Sequence, residues 1–230
     1  MNKFKNFWKK AFSWLSMDDL ALVFFGIMMG GILLILVIAL VGTVEKPYGF
    51  QIWQESNELK LQSTKAECVE KIDEYVHRIA PTSALNGITI FNNCEEFDVD
   101  IAFVLAQGQI ESHYGTVGMA SKTNSVFNVY AYDNHKYEDI HPNGKYPHPD
   151  ASIRPYLELL TNNYLLYGER ENQKREVDMF DGYVDKNGNR YASDKDYEVK
   201  LMRMYENINR TTRLDSLQQE YKKYKLILGL

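Results

Sequence analysis

The sequence predicts a mainly helical fold of the α+β class, with a small lobe of loops and short strands, preceded by a single transmembrane helix. Three observations predict it. Residues 20–44 form an apolar run without a charged residue, residues 65–79 place apolar side chains at helical spacing, and residues 116–150 are rich in Asn, Gly, Pro, Tyr and His. The 230 residues are enough for one domain of ordinary size and an appendage.

The apolar run of residues 20–44 is predicted to be an uncleaved signal anchor in the cytoplasmic membrane. Its 25 residues exceed the roughly 20 that a helix needs to cross a bilayer core, and a cleaved signal peptide has a shorter apolar part. Four lysines precede the run, so we expect residues 1–19 in the cytoplasm and residues 45–230 across the membrane. Gly26 and Gly30 form a G-x-x-x-G pair that would allow two such helices to self-associate.

Residues 45–230 carry a net charge of −7, because four of the chain's 26 basic residues and two of its 31 acidic residues precede them. This charge argues against a nucleic-acid partner, which would require a basic face. Cys68 and Cys94 fit no zinc-binding spacing; they either pair in an oxidising compartment or remain two buried thiols. Three histidines lie in one loop-rich stretch, but no metal-binding motif accompanies them: His135, His141 and His148. We therefore expect neither a metal ion nor a cofactor.

The part beyond the anchor should open with a linker or stalk over residues 45–65, which becomes helical from about Gln54. A helix over residues 65–79 follows, and Pro81 ends it. The dipeptide Asn86-Gly87 then predicts a turn within a loop.

The next helix is predicted to begin near Asp98 or Asp100, because either side chain can cap its amides. It should stop at Gly115, since glycine is preferred just past a helix end. Glu111 lies near that end, where the negative end of the helix dipole and apolar neighbours raise the pKa of a carboxyl group. A glutamate with a raised pKa is a candidate general acid near neutral pH.

The small lobe should follow Gly115. Alternation in VFNVYAY, residues 126–132, predicts a short strand, and the composition of residues 141–150 predicts a loop. The remaining predicted elements are a helix over residues 151–168, a hairpin around the Asn187-Gly188 turn, and two helices over residues 194–209 and 213–228.

Residues 103–129, FVLAQGQIESHYGTVGMASKTNSVFNV, resemble the catalytic-helix signature of the glucosaminidases of glycoside hydrolase family 73. Two later segments are similar to further motifs of that family: HPDASIRPYLELLTNNYL, residues 148–165, and RYASDKDYEVKLMRMYENI, residues 190–208. The resemblance covers about residues 68–209 in the family's order. It implies a lysozyme-like helical domain with a small β-rich lobe. It also implies hydrolysis of the β-1,4 bond between N-acetylglucosamine and N-acetylmuramic acid in peptidoglycan.

The resemblance further implies roles for single residues. Glu111 would protonate the departing glycosidic oxygen, and Tyr191 would lie near the cleaved sugar. The predicted substrate-binding residues at matched motif positions are Gln107, Ser112, Asn124, Phe127 and Asn128. Tyr132 is a further predicted substrate-binding residue, because its aromatic face can stack on a sugar ring. Five other tyrosines are candidates for stacking on sugar rings, because each combines an aromatic face with a polar hydroxyl: Tyr114, Tyr130, Tyr146, Tyr156 and Tyr183.

A second carboxylate is not fixed by any motif. It would lie about 5 Å from the acid as a nucleophile, or about 6.5 to 9.5 Å away as a base that holds water. Asp133, Glu138 and Asp139 are the candidates, and Glu138 is the favoured one. If none of them is correctly placed, the N-acetyl group of the substrate itself would act as the nucleophile.

The sequence therefore predicts a membrane-anchored peptidoglycan hydrolase. Two alternatives share its features: a lytic transglycosylase with the same glutamate, and a non-catalytic wall-binding or assembly subunit of an envelope-spanning machine, which would be its partner. The predicted parts of the chain are a cytoplasmic tail (1–19), the anchor (20–44), the linker (45–65), a glucosaminidase-like domain (66–209) and a C-terminal helix (210–230).

Overall fold

The computed structural model describes residues 48–129, 136–169 and 171–230. The described residues from Gln54 onward belong to one compact unit, and residues 48–53 belong to a separate one. The predicted tail and anchor, residues 1–44, lie outside the described residues. Among the residues that are described, no helix is both long enough and apolar enough to cross a membrane.

The described residues are mainly helical, as predicted. The α-helices are α1 (Tyr48–Ile79), α2 (Gly87–Glu96), α3 (Ile101–Ser112), α4 (Ala120–Thr123), α5 (Ile153–Leu159), α6 (Tyr197–Thr212) and α7 (Leu214–Leu228). Short 3₁₀ turns span Tyr137–Asp139, Pro142–Gly144, Pro149–Ser152 and Glu176–Phe180, and α5 continues into a π-helical turn, Leu160–Tyr164.

The first two helices differ from their predictions. Helix α1 begins at Tyr48, before the expected start near Gln54, and it includes the predicted helix of residues 65–79. The segment after Asn86 forms α2 rather than a loop. Gly87 opens α2 where a Cβ atom would lie only 2.7 Å from the carbonyl oxygen of Val69. Glycine therefore allows the start of α2 to approach α1 closely, a tertiary contact that no local pattern reveals.

Helix α3 lies at the centre of the domain and packs mainly against α6, with further contacts to α2 and α7. Every residue from Ile101 to Gly108 is buried, so this part of α3 is enclosed on all sides. Asp100 caps the helix, since its side chain accepts a hydrogen bond from the amide of Phe103 at 2.9 Å. The other end of α3 is thus the part that can carry an accessible functional group.

Helix α3 ends at Ser112, three residues before the predicted stop at Gly115. His113, Tyr114 and Gly115 follow it with φ of 45°, 56° and 81°. A left-handed conformation at two residues other than glycine is strained. The buried Tyr114 is held there because its carbonyl accepts a 2.8 Å hydrogen bond from Ser83.

The predicted β-rich lobe is absent from the residues that the structure describes, where the bridge between Val184 and Arg190 is the one strand-like pairing. The described part of the predicted strand 126–132, Val126–Val129, lies in turns. Asn124 and Asn128 have φ of 55° and 50°, which interrupts extended backbone on both sides. Val126 bonds to serine side chains instead of a neighbouring strand: its amide donates to Ser152 at 3.1 Å and its carbonyl accepts from Ser112 at 2.6 Å.

The later elements agree with the sequence. Helices α6 and α7 occupy the two segments predicted to be helical near the end of the chain. The predicted hairpin is the Val184–Arg190 bridge, closed by a turn in which Asp185 accepts hydrogen bonds from the amides of Asn187 and Asn189, both at 2.8 Å.

Candidate active site

A carboxylate and a phenol from two different helices meet at the end of α3. Glu111 lies one residue before the end of α3 and is partly buried. Tyr197 is the first residue of α6, and its hydroxyl donates a 2.6 Å hydrogen bond to Oε1 of Glu111. Because α3 and α6 pack along their lengths, the rigid core fixes the position of both groups.

The environment of Glu111 favours its protonated form. Burial raises the pKa of Glu111 above its ordinary value, while hydrogen bonds from Tyr197 and Asn128 oppose part of this rise. Desolvation disfavours the charged carboxylate, and the nearby C-terminus of α3 acts in the same direction. Glu111 is therefore suited to hold a proton that it can give away, as the sequence predicts for a general acid.

A short loop after α4 holds the end of α3 in place. The side-chain amide of Asn128 donates to the backbone carbonyl of Glu111 at 2.8 Å. Ser112, which is fully buried, donates to the carbonyl of Val126 at 2.6 Å and accepts from the amide of Gly115 at 2.8 Å. The predicted substrate-binding residue Ser112 thus fastens the helix end to this loop, and its hydroxyl is used within the protein.

Asn124 and Phe127 lie in the same loop and have different surroundings. The side-chain amide of Asn124 donates to the carbonyl of Tyr146 at 2.8 Å, which attaches the following turns to the loop. Phe127 is buried, and its ring stacks on Tyr156 with a centroid distance of 3.7 Å. Phe127 consequently supports the loop from below, while the partly exposed Asn128 faces Glu111.

Tyr191 belongs to a cluster of aromatic rings beside Glu111. Its ring stacks on Tyr183 at 4.5 Å and lies 5.6 Å from the ring of Tyr197. The amide of Tyr191 donates to the carbonyl of Tyr183 at 2.8 Å, which completes the hairpin. Its hydroxyl donates to the carbonyl of Phe127 at a long 3.4 Å. Tyr191 therefore connects the hairpin to the loop that holds Glu111.

The π-helical turn at the end of α5 supports this hairpin. The carbonyl of Asn163 accepts a 2.8 Å hydrogen bond from the amide of Lys186. The ring of Tyr164 contacts Tyr183 at 5.0 Å and Tyr191 at 5.5 Å, both edge to face. A π-turn adds a residue to a helical turn and occurs often at functional sites. Here it directs Tyr164 onto the hairpin.

Gln107 lies inside the domain, one helical turn before Glu111. Its side chain is fully buried, and its Oε1 accepts hydrogen bonds from the hydroxyls of Tyr156 and, at 3.0 Å, of Tyr183. Three of the tyrosines predicted to stack on sugar rings are buried and pack within the core: Tyr114, Tyr156 and Tyr183. The amide of Gln107 organises aromatic residues instead of reaching solvent.

Two of the candidates for a second carboxylate, Glu138 and Asp139, lie in the described part of the chain, and neither forms a hydrogen bond with Glu111. Glu138 is exposed in the 3₁₀ turn Tyr137–Asp139, where the carboxylate of Asp139 accepts from the amide of Lys136 at 3.2 Å. Glu138 makes no hydrogen bond or ion pair with the described residues. Asp133 and the predicted sugar-stacking Tyr132 lie outside the described residues, as does Tyr130.

Metal-ligating residue types are not clustered in the described part of the chain. Across residues 48–129, 136–169 and 171–230, no group of three or more His, Cys, Asp or Glu side chains could hold a metal ion. His135 lies outside these ranges.

Tyr197 is the site residue that sequence reasoning does not single out. Its contact with Glu111 joins positions 86 residues apart, a separation that periodicity cannot address. One signal was available, because Tyr197 follows Tyr191 by six positions within a segment that carries the family resemblance.

Comparison with known proteins identifies a family for most of the described domain. The family model of the glucosaminidases, described as mannosyl-glycoprotein endo-beta-N-acetylglucosaminidase, matches residues 89–210. This range contains Glu111, Tyr191 and Tyr197 and more than half of the chain. A search of curated proteins finds no match.

Proposed function

The chain belongs to the glucosaminidase family, and from this premise we propose that it cleaves the β-1,4 bond between N-acetylglucosamine and N-acetylmuramic acid with Glu111 as general acid. Membership agrees with the motifs in the sequence and supports a glycoside hydrolase that acts on peptidoglycan. The endo-acting glucosaminidase specificity and the roles of single residues are parts of the proposal.

The observation that carries the proposal is the pairing of Glu111 with Tyr197. Burial raises the pKa of Glu111, which keeps the carboxyl protonated at a higher pH than an exposed glutamate. In the reaction this proton passes to the departing glycosidic oxygen as its bond to the sugar carbon breaks. The resulting carboxylate retains the 2.6 Å hydrogen bond from Tyr197, which stabilises its negative charge.

Tyr191 and Asn128 are proposed to contact the sugar beside the cleaved bond. Both are partly exposed and both adjoin Glu111, Asn128 through a hydrogen bond and Tyr191 through the shared aromatic cluster. Asn124 positions this loop, and Gln107, Ser112 and Phe127 support it from inside. Substrate recognition then depends on a small rim of polar groups fixed by a packed interior.

Glu138 is the proposed second carboxylate, with the acetamido group of the substrate as the alternative. A base at Glu138 would activate water and invert the anomeric centre, whereas attack by the acetamido oxygen would form a cyclic intermediate and retain it. The configuration of the newly formed reducing end, observed by proton NMR in the first minutes of digestion, separates these courses. An inverted anomeric configuration in the wild-type product, together with loss of activity in Glu138→Gln, would support Glu138 as the general base.

We also propose that residues 20–44 anchor the protein in the cytoplasmic membrane, with residues 1–19 inside and the hydrolase domain outside. The support is the charge-free run of 25 residues and the four lysines that precede it. Tethering would confine cleavage to nearby wall, which suits a protein that opens peptidoglycan locally. Fractionation of cells with and without these residues, followed by protease treatment of spheroplasts, tests the arrangement.

The decisive experiment is digestion of purified peptidoglycan by the full chain in mild detergent, with products identified by mass spectrometry. Wild type should release fragments with N-acetylglucosamine at the reducing end, and Glu111→Gln should release about 10² to 10⁴ times less, the usual loss for a general acid. Glu206→Gln, an exposed glutamate of α6, is the matched control. Anhydro-muramic ends would indicate a transglycosylase, and no release by wild type would favour a non-catalytic wall-binding subunit.

A further inference from the structure

Exposed apolar side chains gather at one end of the helical domain. Among the described residues, the three most exposed large apolar side chains are Leu226, Leu230 and Leu59, with exposed fractions of 82%, 73% and 66%. Apolar surface left in water costs free energy that burial against another apolar surface recovers. Single exposed leucines are normal on protein surfaces, so these three indicate a function only because they lie together.

The directions of α1 and α7 place these leucines at the same end. The ammonium group of Lys60 in α1 lies over the ring of Tyr224 in α7, 5.8 Å from its centroid. Further along α1, the ammonium group of Lys65 lies 5.1 Å from the centroid of Phe91, whose ring contacts Tyr221 of α7 at 5.0 Å. Residue numbers rise along α1 as they fall along α7, so the two helices run antiparallel. The last turn of α7 therefore lies level with the first half of α1.

The chain reaches this end of the domain from the predicted membrane anchor. The compact unit begins at Gln54, within α1, and only residues 45–53 separate it from the apolar run. A segment of this length spans at most about 30 Å even when it is fully extended. Within it, residues 48–53 read YGFQIW, a charge-free stretch with aromatic residues of the kind enriched at membrane interfaces. If residues 20–44 span the membrane, the tether keeps this end of the domain near lipid.

Charge does not explain this surface. Lys60 and Lys223 are exposed at this end, and so are Glu55 and Glu58. Opposite charges in equal number give no net attraction to a strongly acidic or basic partner. The other lysines in this part of α7 are held in ion pairs within the domain: Lys222 with Asp98, and Lys225 with Glu95. Apolar burial is therefore the force that this surface offers, and the boundary between lipid headgroups and acyl chains supplies it.

We propose that Leu59, Leu226 and Leu230 dock the domain on the lipid surface of the membrane that holds residues 20–44. The leucine side chains enter the boundary between headgroups and acyl chains, while the lysine side chains beside them extend their ammonium groups to water. The inference rests on the proposed anchor, because the anchor holds these leucines close enough to lipid for a small apolar surface to remain bound.

Docking at this end directs the active site toward the wall. Between Leu59 and Tyr75, α1 rises about 24 Å, because each helical residue adds about 1.5 Å. The hydroxyl of Tyr75 donates a 2.9 Å hydrogen bond to Oε1 of Gln109 in α3, two residues before Glu111. With α1 upright on the membrane, Glu111 therefore lies far from the docked leucines, where peptidoglycan strands can reach it.

The test uses the full chain reconstituted into vesicles of zwitterionic phosphatidylcholine. A polarity-sensitive fluorophore is attached to a cysteine introduced by Leu226→Cys or, as the matched control, by Val199→Cys, at an exposed position two residues after Tyr197. Cys68 and Cys94 are buried and should remain unlabelled. At position 226 we expect emission at shorter wavelength than in detergent-free buffer, and quenching by spin-labelled lipid. At position 199 we expect neither effect.

Surface variants show whether the other two leucines share in the contact. Leu59→Ser together with Leu230→Ser should abolish most of the emission shift at position 226, because less apolar surface remains to hold the domain on lipid. Ile88→Ser, at an exposed apolar position of α2, is the control and should leave the shift unchanged. The shift should persist at high salt concentration, since the contact does not depend on charge.

The results distinguish failure of the docking from failure of the anchor. A label at position 226 that stays in water, in protein that floats with the vesicles, would overturn the docking and leave the anchor in place. Protein that does not float with the vesicles would overturn both. A shift that lipid quenchers do not affect, and that grows with the number of protein molecules per vesicle, would identify a second copy of the chain as the occupant and overturn the lipid contact.

Hydrolysis provides an independent control. Leu226→Ser should digest purified peptidoglycan in detergent at the wild-type rate, because position 226 is exposed and lies outside the candidate active site. A failure of docking therefore leaves the proposed glycoside hydrolase activity untouched. A large loss of this rate in Leu226→Ser would contradict the proposal, since the residue would then support the fold or the active site instead of a membrane contact.

Discussion

The hydroxyl of Tyr197 donates a 2.6 Å hydrogen bond to Oε1 of Glu111, and this contact joins the first turn of α6 to the last turn of α3. It stabilises the ionised carboxylate, while burial favours the protonated acid. The acidity of Glu111 is the balance of these two effects. A general acid needs both, because it must hold its proton before the reaction and release it during bond cleavage.

Replacing Tyr197 with Phe should shift the pH dependence of hydrolysis. Because the hydrogen bond lowers the pKa of Glu111, its removal raises that pKa, and the alkaline limb of kcat should move to higher pH by about one unit, as loss of a hydrogen bond to a charged group implies. The maximal rate should fall about tenfold because the Glu111 carboxylate that remains after proton transfer is less stabilised. The measurement is kcat against pH from 4 to 9, and a limb that moves to lower pH would contradict this assignment.

The raised pKa of Glu111 also predicts a cost in stability at alkaline pH. The ordinary pKa of 4.5 applies in the unfolded chain, and burial raises the pKa in the folded one. The folded state therefore holds the proton more tightly. The contribution of protonated Glu111 to the stability of the fold is fully present below pH 4.5. This contribution is lost as the pH rises through the pKa that Glu111 has in the folded protein.

Glu111→Gln removes this titration and nearly preserves the shape of the side chain. The variant should therefore unfold at a higher temperature than wild type at pH 8, and the difference should shrink toward pH 4. Asp100 and Glu176, whose pKa values burial also raises, are present in both proteins and cancel in the comparison. A variant less stable than wild type at pH 8 would show that the carboxylate contributes favourable contacts that exceed its desolvation.

Local sequence patterns predict most of the described helices, but they also predict a β-rich lobe that the described residues do not form, and they do not reveal the contact of Tyr197 with Glu111. The cap at Asp100 and the position of Glu111 near the end of α3 can be predicted from this segment alone, because capping and dipole effects act within a few residues. Tyr197 is not readable in this way, because its partner lies 86 positions earlier in the sequence.

The absence of a β-rich lobe from the residues that the structure describes has a local physical cause that the sequence pattern does not show. Alternation around Phe127 is typical of a strand, yet Asn124 and Asn128 adopt positive φ, which asparagine tolerates better than most residues. The substrate-binding role predicted for Gln107 has a different difficulty. The role comes from the family resemblance, but α3 is enclosed by neighbouring helices until its last turn, a tertiary property that leaves Gln107 buried.

The two cysteines should behave as inert thiols in the folded protein. Both are free and fully buried, and burial raises the pKa of Cys68 to about 12 and that of Cys94 well above its ordinary value. Thiolate is the reactive form, so 5,5′-dithiobis(2-nitrobenzoate) at pH 8 should detect no thiol in hours, and two after unfolding in guanidinium. Finding no thiol after unfolding without reductant would establish a disulfide instead.

Gly108 tests whether close packing over α3 is required for activity. A Cβ atom at this position would lie 3.3 Å from side-chain atoms of Phe127, Tyr114 and Val126 at once. Gly108→Ala should therefore move the loop that ends in Asn128. Overpacking costs about 1 to 3 kcal/mol, which exceeds the roughly 0.5 to 1 kcal/mol that alanine gains over glycine inside a helix.

The variant should thus lose about 1 kcal/mol of unfolding free energy in urea, and its hydrolytic rate should fall further than this loss explains, because Asn128 holds Glu111. Gly182→Ala is the matched control, since a Cβ atom there has open space and the backbone does not require glycine. It should leave stability and rate unchanged. A Gly108→Ala protein as stable and as active as wild type would mean that the loop can shift without moving the acid, so that α6, through Tyr197, alone fixes Glu111.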